Sequence, residues 1–358
     1  MLFKPNWTDA LARWRAFWEG ELLDRPPVTV QIVPTRECDV GTPPTMDHTL
    51  AWFDPARNAP LIEQAARGLE ERAQLEDDTP PGLTAGGGVY FVGAVFGAPV
   101  QVTADMMAAE PILHDWGQLD ELRYDPQNIW VQRALGLARQ LVAHSAGRYA
   151  VIPGLLEGPS DICGALRDVT RLAGDLYEYP AQVRRLTDIA MQAWQAYASA
   201  MYEIVPRYDG GTVTQWSVWT PGRGAALQED FCTLLSPRQY REWFLPLDRE
   251  LARTMDTMWV HIHAGETHLV DELLTADEFQ GIQIVNDGVA SPPLSRVLPI
   301  MQRVQQRGKC LILRKYPPEE LEHILPHLSP RRLAIDTYCG SVAEARAWLQ
   351  RLEQWPFG

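Results

Sequence analysis

The 358-residue chain has little basic charge and no long apolar segment. Lysine and arginine number 32 against 46 aspartate and glutamate residues, which gives a formal net charge of −14. Duplex nucleic acid and anionic membrane surfaces are therefore poor candidate partners. The longest nearly uncharged stretch, residues 90–105, is shorter than the roughly 20 apolar residues that span a bilayer. We expect neither a nucleic-acid-binding protein nor a membrane protein.

Cysteine is also scarce, and its spacing argues against a secreted disulfide framework. The cysteines are odd in number, widely separated and without a Cys-x-x-Cys pair, which is typical of reduced thiols. The first residues carry charges within their apolar pattern and no small-residue cleavage site, unlike a signal peptide. We therefore expect a cytoplasmic protein. The cysteines are Cys38, Cys163, Cys232, Cys310 and Cys339.

The sequence lacks a nucleotide fingerprint but alternates regularly between predicted strands and helices. Neither Gly-x-Gly-x-x-Gly after a strand nor a phosphate-binding Gly-x-x-x-x-Gly-Lys motif occurs. A tryptophan-rich helix is predicted over 8–19, and an eighth strand could lie within 89–95. Seven strands are predicted over 28–33, 149–156, 211–216, 258–263, 281–286, 309–314 and 332–337. This alternation predicts a single domain over 1–358, a (β/α)8 TIM barrel with an N-terminal helical extension and insertions.

One predicted strand carries two histidines on the same face. Because side chains alternate along a strand, Trp259, His261 and His263 share one face, and Val260 and Ile262 take the other. The outer face of a barrel strand packs on helices and suits the aliphatic pair, so the histidines point inward at the catalytic end. Two imidazoles at this spacing could bind one metal ion, or they could be hydrogen-bonded core histidines.

Cys339 follows the last predicted strand and precedes Ser341 and Glu344, which match the capping box of a final helix. The strand before Cys339 and the helix after it both place the thiol at the catalytic end, and the helix dipole favours the thiolate form. His261, His263 and Cys339 would then form a three-ligand site with one open position, the arrangement of catalytic zinc. The alternative is an inert structural cysteine.

Polar residues near this predicted site could have either a functional or a purely structural role. Asp287, next to Asn286, could ligate the metal or orient a ligating imidazole, or the two residues could simply begin an Asn-Asp-Gly turn. Glu266 could be a metal ligand or an exposed carboxylate at the start of a helix.

Two other segments leave predicted strands with side chains that suit a binding site. Glu157 and Asp161 flank a Gly-Pro turn and could reach the cavity mouth, although Asp161 could instead cap the following helix. Trp216, Trp219 and Arg223 suit a flat or carboxylated ligand, with aromatic core packing beside a solvated arginine as the alternative. We predict catalytic or orienting roles for Glu157, Asp161 and Arg223, and cofactor binding by Trp216 and Trp219.

Over nearly its whole length the chain resembles the uroporphyrinogen decarboxylase-like barrels, a group that includes zinc- and corrinoid-dependent methyltransferases. The resemblance implies a (β/α)8 barrel with its site at the carboxyl ends of the strands. The similar segments are the tryptophan-rich first helix with residues 22–27, residues 155–161, residues 219–223, Ser236-Pro237, and the surroundings of His261 and Cys339.

The methyltransferase branch of this group implies a zinc ion held by His-x-Cys on one strand and by Cys-Gly near the last strand, where it activates a thiol. His261 matches the first ligand and Cys339 with Gly340 the last. His263 stands where the middle cysteine would be, and imidazole is also a zinc ligand. The resemblance also implies a methylcorrinoid, carried by a partner protein, as the methyl donor.

The decarboxylase branch implies an arginine-rich loop after the first strand and a tyrosine six residues after the proline of a Gly-x-Pro motif. Here the loop carries one arginine, Arg36, and the residue six positions after Pro159 is Ala165. A net charge of −14 also suits a polyanionic substrate badly. Porphyrinogen decarboxylation is therefore the weaker prediction.

Three functions follow as hypotheses. The first is zinc-dependent methyl transfer between a corrinoid or other donor and a thiol-type acceptor. The second is a metal-free carboxy-lyase such as uroporphyrinogen decarboxylase. The third is a non-catalytic barrel that binds a tetrapyrrole or corrinoid. In each case we expect a small-molecule ligand, and a homodimer is an open possibility.

Overall fold

The computed structural model describes residues 1–33, 46–102 and 107–355. Cys38 and Arg36 lie outside these ranges. The strands are β1 (Val28–Ile32), β2 (Gly82–Thr84), β3 (Val100–Val102), β4 (Met107–Ala109), β5 (Ala150–Ile152), β6 (Gly211–Thr214), β7 (Val218–Pro221), β8 (Gly224–Gln228), β9 (Thr257–His263), β10 (Gly281–Val285), β11 (Cys310–Arg314) and β12 (Leu333–Cys339).

The helices cover the remaining regular segments of these ranges. They are α1 (Trp7–Glu19), α2 (Met46–Trp52), α3 (Ala59–Arg72), α4 (Phe91–Ala94), α5 (Ile129–Ser145), α6 (Pro159–Arg167), α7 (Val169–Glu178), α8 (Pro180–Tyr202), α9 (Pro237–Trp243), α10 (Leu245–Ala252), α11 (Val270–Leu273), α12 (Leu294–Gln306), α13 (Pro318–Ile324) and α14 (Val342–Glu353). None of these helices is both long and apolar enough to cross a bilayer.

Six strands form one parallel sheet, in the order β1-β12-β11-β10-β9-β8, and β2 pairs with β5 in a separate parallel pair. The sheet curls as a half-barrel, as expected for strand–helix alternation. Strand pairing within the described residues does not close the ring that the sequence predicted. Instead, the antiparallel β6–β7 hairpin contacts both β5 and β8.

Two sequence predictions about strands were wrong. The segment 211–216 does not supply a strand of the parallel sheet: its first four residues are an arm of the hairpin, and β8 takes the place in the sheet. The Gly-Ala-Ala-Leu-Gln sequence of β8 has no β-branched residue, so propensity gave no signal for it. The segment 89–95 contains the helix α4, not a strand.

Asp77 and Asp78 join β1 to the chain just before β2. The backbone N–H of Asp78 donates to the Val28 carbonyl at 2.7 Å, and the Asp78 carboxylate accepts the N–H of Val28 at 2.8 Å. The Asp77 carboxylate accepts the N–H of Val30 at 2.9 Å. Carboxylates therefore satisfy strand-edge donors that a neighbouring strand would otherwise satisfy.

The core has an outer and an inner part. On β9, Val260 and Ile262 belong to the large outer cluster under the helices, and Trp259 belongs to an inner cluster. The inner cluster combines side chains of the six-stranded sheet, β5, the hairpin and α1, so all of them enclose one interior. Helix α1 places Trp14 in this cluster, and its Trp18 donates to the Trp219 carbonyl at 2.7 Å. The tryptophan-bearing face of α1 thus covers one end of the barrel-like interior, the end at which Gly281 begins β10.

Candidate functional site

A polar layer lies above the apolar interior, at the carboxyl ends of the parallel strands. Gln228, His261 and Gln283 occupy paired positions on β8, β9 and β10. Two residues before His261, Trp259 is fully buried in the inner apolar cluster. The predicted inward orientation of the histidine face is confirmed. The polar layer is thus at the end of the sheet where parallel α/β enzymes bind ligands.

His261 is buried, with 4% of its surface exposed, and its two ring nitrogens differ. Its Nδ1 lies 2.6 Å from Oε1 of Gln283. An amide oxygen only accepts, so Nδ1 carries the proton. Burial lowers the pKa of His261 to about 3, and the ring is therefore neutral at physiological pH. Because Nδ1 carries the proton, Nε2 holds a lone pair, and within the described residues it has no hydrogen-bond partner.

Trp216 stacks flat on His261, with ring centroids 3.9 Å apart and planes inclined by 11°. It lies at the tip of the β6–β7 hairpin with φ 55° and ψ 28°, and Ser217 beside it has φ 58°. The left-handed region is a genuine outlier for a bulky residue and typically costs about 1–3 kcal/mol. The fold thus holds the indole against the imidazole despite this strain.

His263 is oriented by acidic residues. Its Nδ1 donates to Oδ1 of Asp287 at 2.7 Å, and Nε2 lies 3.8 Å from Oδ1 of Asp230. The hydrogen bond that His263 donates to Asp287 raises the pKa of His263, against the opposing effect of burial. Of the two roles predicted for Asp287, orientation of an imidazole is the contact observed. The adjacent Asn286 instead accepts the N–H of Gly288 and a bond from Ser291, as a turn residue does.

Glu266 is buried, not exposed as one interpretation predicted. One carboxylate oxygen accepts the backbone N–H of His263 at 2.8 Å, and the other accepts the hydroxyl of Thr233. Burial raises the pKa of Glu266 to about 7. The side chain therefore fixes the backbone at the end of β9.

Sequence reasoning missed three polar residues that continue this layer. Arg314 at the end of β11 pairs with Asp336 on β12, and Asp336 accepts a bond from Gln31 of β1 at 3.2 Å. The guanidinium carbon of Arg314 lies 5.5 Å from the Trp216 ring centroid. A charged residue at an inward position of an otherwise aliphatic strand was the available signal for Arg314 and Asp336.

The predicted acids Glu157 and Asp161 lie on the other side of the hairpin. Asp161 accepts the backbone N–H groups of Asp230 and Phe231 at 2.9 and 2.7 Å. It therefore caps the 3-10 helix Asp230–Leu234, not its own helix α6 as one alternative held, and it fixes the segment that carries Asp230. Burial, with Glu157 and Asp230 nearby, raises the pKa of Asp161 well above its usual range.

Glu157 is half-buried and makes no hydrogen bond or ion pair within the described residues. Burial first, and then the charge of Asp230, raise its pKa to about 8. A carboxyl group without a partner in a cavity wall is uncommon, because desolvation of the charge is not compensated. Such perturbed groups in clefts are functional-site candidates.

The hairpin tip lies between two cavities. One, of about 310 Å³, is lined by Thr84, Gly87, Gly88, Val89, Phe91, Val92, Leu155, Leu156, Glu157, Gln215, Trp216, Ala226 and Gln228. The other, of about 210 Å³, includes Lys4, Gln31, Arg72, Trp216, Ser217, Arg314 and Asp336 in its lining. Trp216 contributes to both walls and so connects the histidine pair to each cavity.

Cys339 does not face the histidines. The strand β12 continues to Cys339, so this residue shares the outer face of Leu333 and Ile335, while Ala334 belongs to the inner cluster. Burial raises the pKa of its thiol to about 11. Within residues 1–33, 46–102 and 107–355, no group of three His, Cys, Asp or Glu side chains could hold a metal ion. The predicted zinc ligand set is therefore not brought together.

Two further predicted site residues lie elsewhere. Arg223 is exposed just before β8, at the end opposite the histidines, where its backbone N–H bonds Asp256. Trp219 is buried in the inner cluster, and its Nε1 donates to the Tyr208 carbonyl at 3.1 Å. Of the aromatic pair that was predicted to bind a ligand, Trp216 is the one at the polar layer.

No protein-family model and no curated protein matches the sequence. Solved structures do. A methyltransferase from Methanosarcina mazei matches with a TM-score of 0.64 and 14% sequence identity, over 96% of this chain and 98% of that chain. This chain shares that protein's fold. At such low identity the match describes architecture, and the chemistry has to be argued from the site itself.

Proposed function

We propose that the protein is a methyltransferase on a uroporphyrinogen decarboxylase-like (β/α)8 barrel. It would transfer a methyl group from a donor presented at the mouth to a small nucleophile such as a thiol. The fold shared with a methyltransferase supports this proposal. The observation that carries it is the histidine pair, whose Nδ1 atoms are bonded to Gln283 and Asp287, which leaves both Nε2 atoms without a hydrogen bond to the described residues.

In the proposed reaction, His263 acts as the general base. Its Nε2 takes the proton from the acceptor as the acceptor's lone pair forms the new bond to the methyl carbon, and the bond between that carbon and the donor breaks with its electron pair left on the donor. Asp287 stabilises the imidazolium that results, in the way that a carboxylate supports a catalytic histidine. The neutral His261 accepts a hydrogen bond from a second polar group of the methyl acceptor and so orients it, and Trp216 fixes the plane of the His261 ring.

The proposal contains no zinc-dependent step. Catalytic zinc takes three protein ligands, and Cys339 lies on the outer face of β12, away from the imidazoles. The hydrogen bonds at both Nδ1 atoms would be compatible with metal binding through Nε2. The described residues nevertheless offer no third ligand from His, Cys, Asp or Glu. Base catalysis therefore fits these side chains better than metal activation.

The donor is proposed to be a methylcorrinoid carried by a partner protein, as the family resemblance implies. When presented, such a group supplies an electrophilic methyl carbon. The cavities of about 310 and 210 Å³ beside Trp216 are at or below the lower end of the sizes that enclose drug-like ligands. They suit a small acceptor, and a corrinoid would be presented from outside.

The site does not favour decarboxylation of a polycarboxylate. The three cations in the lining of the 210 Å³ cavity are already paired within the protein, Lys4 and Arg72 with Asp77, and Arg314 with Asp336. Anionic substrates are usually bound by arginine or lysine groups that are available to them.

Incubation of the purified protein with methylcobalamin and small thiols tests the proposal. We expect loss of the methylcobalamin absorbance and formation of the methyl thioether, detected by mass spectrometry. His263→Ala should lower the rate by about 10²-fold or more, because the general base is lost. His327→Ala, at an exposed position, is the matched control and should leave the rate unchanged. Thioether formation no faster than without protein would contradict the proposal.

A further inference from the structure

The 310 Å³ cavity has an unusual charge composition. Among the described residues that line it, Glu157 is the one ionisable side chain, and no lysine, arginine or histidine belongs to the wall. The remaining wall combines apolar and aromatic side chains with three uncharged polar ones, Thr84, Gln215 and Gln228. A binding site with an acid and no base discriminates against anions.

Within the described residues no cation pairs with Glu157. Asp230 adds a second negative charge near it, and the Oδ1 atom of Asp230 has no hydrogen-bond partner in the described part of the chain, its nearest cationic group being His263 with Nε2 at 3.8 Å. Asp161, behind them, is held by backbone N–H groups and adds no cation. An unpaired carboxyl in such surroundings is costly, and either a proton or a cationic ligand can offset the cost.

The aromatic and amide groups of the same wall favour a cation. The Trp216 and Phe91 side chains line the cavity, and aromatic rings attract cations through their electron-rich faces; His261 covers one face of Trp216, which leaves the other face for a ligand. The Oε1 atom of Gln215 is buried and has no hydrogen-bond partner among the described residues. An ammonium N–H or a hydroxyl group on the ligand would satisfy it.

We propose that this cavity binds a small organic cation of the alkylammonium class, with Glu157 as counter-ion and Trp216 as aromatic wall. The binding claim stands independently of methyl transfer. Only the further step, that the bound cation is the methylated or methyl-accepting substrate, rests on the proposed function.

Isothermal titration calorimetry with matched probes tests the site. The probes are trimethylammonium, choline, and 3,3-dimethyl-1-butanol, which is the uncharged analogue of choline. We expect choline or trimethylammonium to bind at least 10-fold more tightly than the neutral alcohol. Affinity should rise between pH 7 and pH 9, because Glu157 must ionise to pair with the cation, and binding at pH 7 should release a proton.

Two variants separate this site from non-specific attraction to an acidic protein. Glu157→Gln should weaken binding of the cations at least 10-fold and leave the neutral alcohol unaffected. Glu250→Gln removes an exposed acid on α10 and should change nothing. Equal binding of choline and the alcohol, unchanged cation affinity in Glu157→Gln, or no binding of either cation would each overturn the proposal. Because calorimetry needs no turnover, these outcomes are distinct from a failure of methyl transfer.

Discussion

Two pairs of acids, Asp77 with Asp78 and Glu157 with Asp161, lie at different edges of the sheet and have opposite electrostatics; all are buried except Glu157, which is half-buried. Asp77 contacts Lys4 at 2.7 Å and Arg72 at 2.5 Å. Burial alone would raise the pKa of Asp77, but these two cations more than offset it and lower the pKa to about 2. Asp78 is likewise paired with two arginines, Arg13 and Arg25.

Among the described residues no cation pairs with Glu157 or Asp161. The pKa of Glu157 is raised to about 8 and that of Asp161 is raised well above its usual range. The same residue types are therefore used in two ways. Acids that the protein itself neutralises hold β1 to the chain before β2, whereas Glu157, which pairs with no described cation, lines the cavity at the polar layer. The contrast separates a structural from a functional use of buried charge.

The largest expected effect is at the paired acids. Asp77→Asn leaves Lys4 and Arg72 buried without a full counter-charge, which typically costs about 3–5 kcal/mol. Urea unfolding followed by circular dichroism measures the change in the free energy of unfolding. Lys4→Met, which keeps Arg72 in place, should cost less. Asp9→Asn, at an exposed position of α1, is the control. A loss below about 1 kcal/mol for Asp77→Asn would remove the structural half of the comparison.

The next effect concerns Asp287, a site acid paired with a histidine. Asp287→Asn removes the charge that raises the pKa of His263 and stabilises its protonated form. We expect the high-pH plateau of methyl-transfer kcat/KM to fall by roughly 10²-fold. The acid limb of the pH profile should move to lower pH, because His263 then loses its proton more easily. An unmoved acid limb would exclude His263 as the base.

At the unpaired acids the sign of the stability effect should reverse. The folded-state pKa of Glu157, about 8, lies above its unfolded value, so the carboxyl group contributes stability at low pH that is lost as the pH rises through 8. Glu157→Gln should therefore raise the free energy of unfolding at pH 9 by roughly 1–3 kcal/mol and change it little at pH 4. Thermal melts of both proteins at pH 4 and pH 9 measure this change in the free energy of unfolding. Asp77 behaves oppositely, losing its contribution as the pH falls towards 2.

The smallest effect is expected for Asp161, which bonds backbone N–H groups and no cation. Asp161→Asn keeps one acceptor oxygen and removes no ion pair, so we expect a loss within about 1 kcal/mol at pH 7. Measurement beside Asp77→Asn under the same conditions gives the comparison directly. A loss as large as that of Asp77→Asn would mean that Asp161 is ionised and structurally paired.

Features that depend on local alternation were predictable from the sequence. The inward face of His261 and His263 follows from the period of two along β9, and the tryptophan face of α1 follows from helical spacing. The prediction that Cys339 lies beside the histidines was wrong for a related reason. The sequence predicted that the last strand ends at residue 337, which leaves Cys339 in a turn, but the strand continues to 339 and fixes the thiol on the outer face.

Features that depend on distant contacts were not predictable. The β6–β7 hairpin occupies the space between β5 and β8, and only that placement brings Trp216 onto His261. The pairing of Asp77 and Asp78 with cations also joins residues about 50 to 75 positions apart in the chain. Sequence spacing carries no signal for such contacts. The resemblance to a known family implied a (β/α)8 barrel, and the described residues form a curled parallel sheet consistent with that type of fold without closing the ring.

Titration of the Glu157 carboxyl group tests the central contrast most directly. Protein labelled with ¹³C at the glutamate carboxyl carbons, with Glu157→Gln to assign the resonance, reports the protonation of Glu157 by NMR. The structure predicts a midpoint near pH 8, moving to lower pH when choline is added. A midpoint near the ordinary glutamate value of about 4.3, unchanged by choline, would contradict the account.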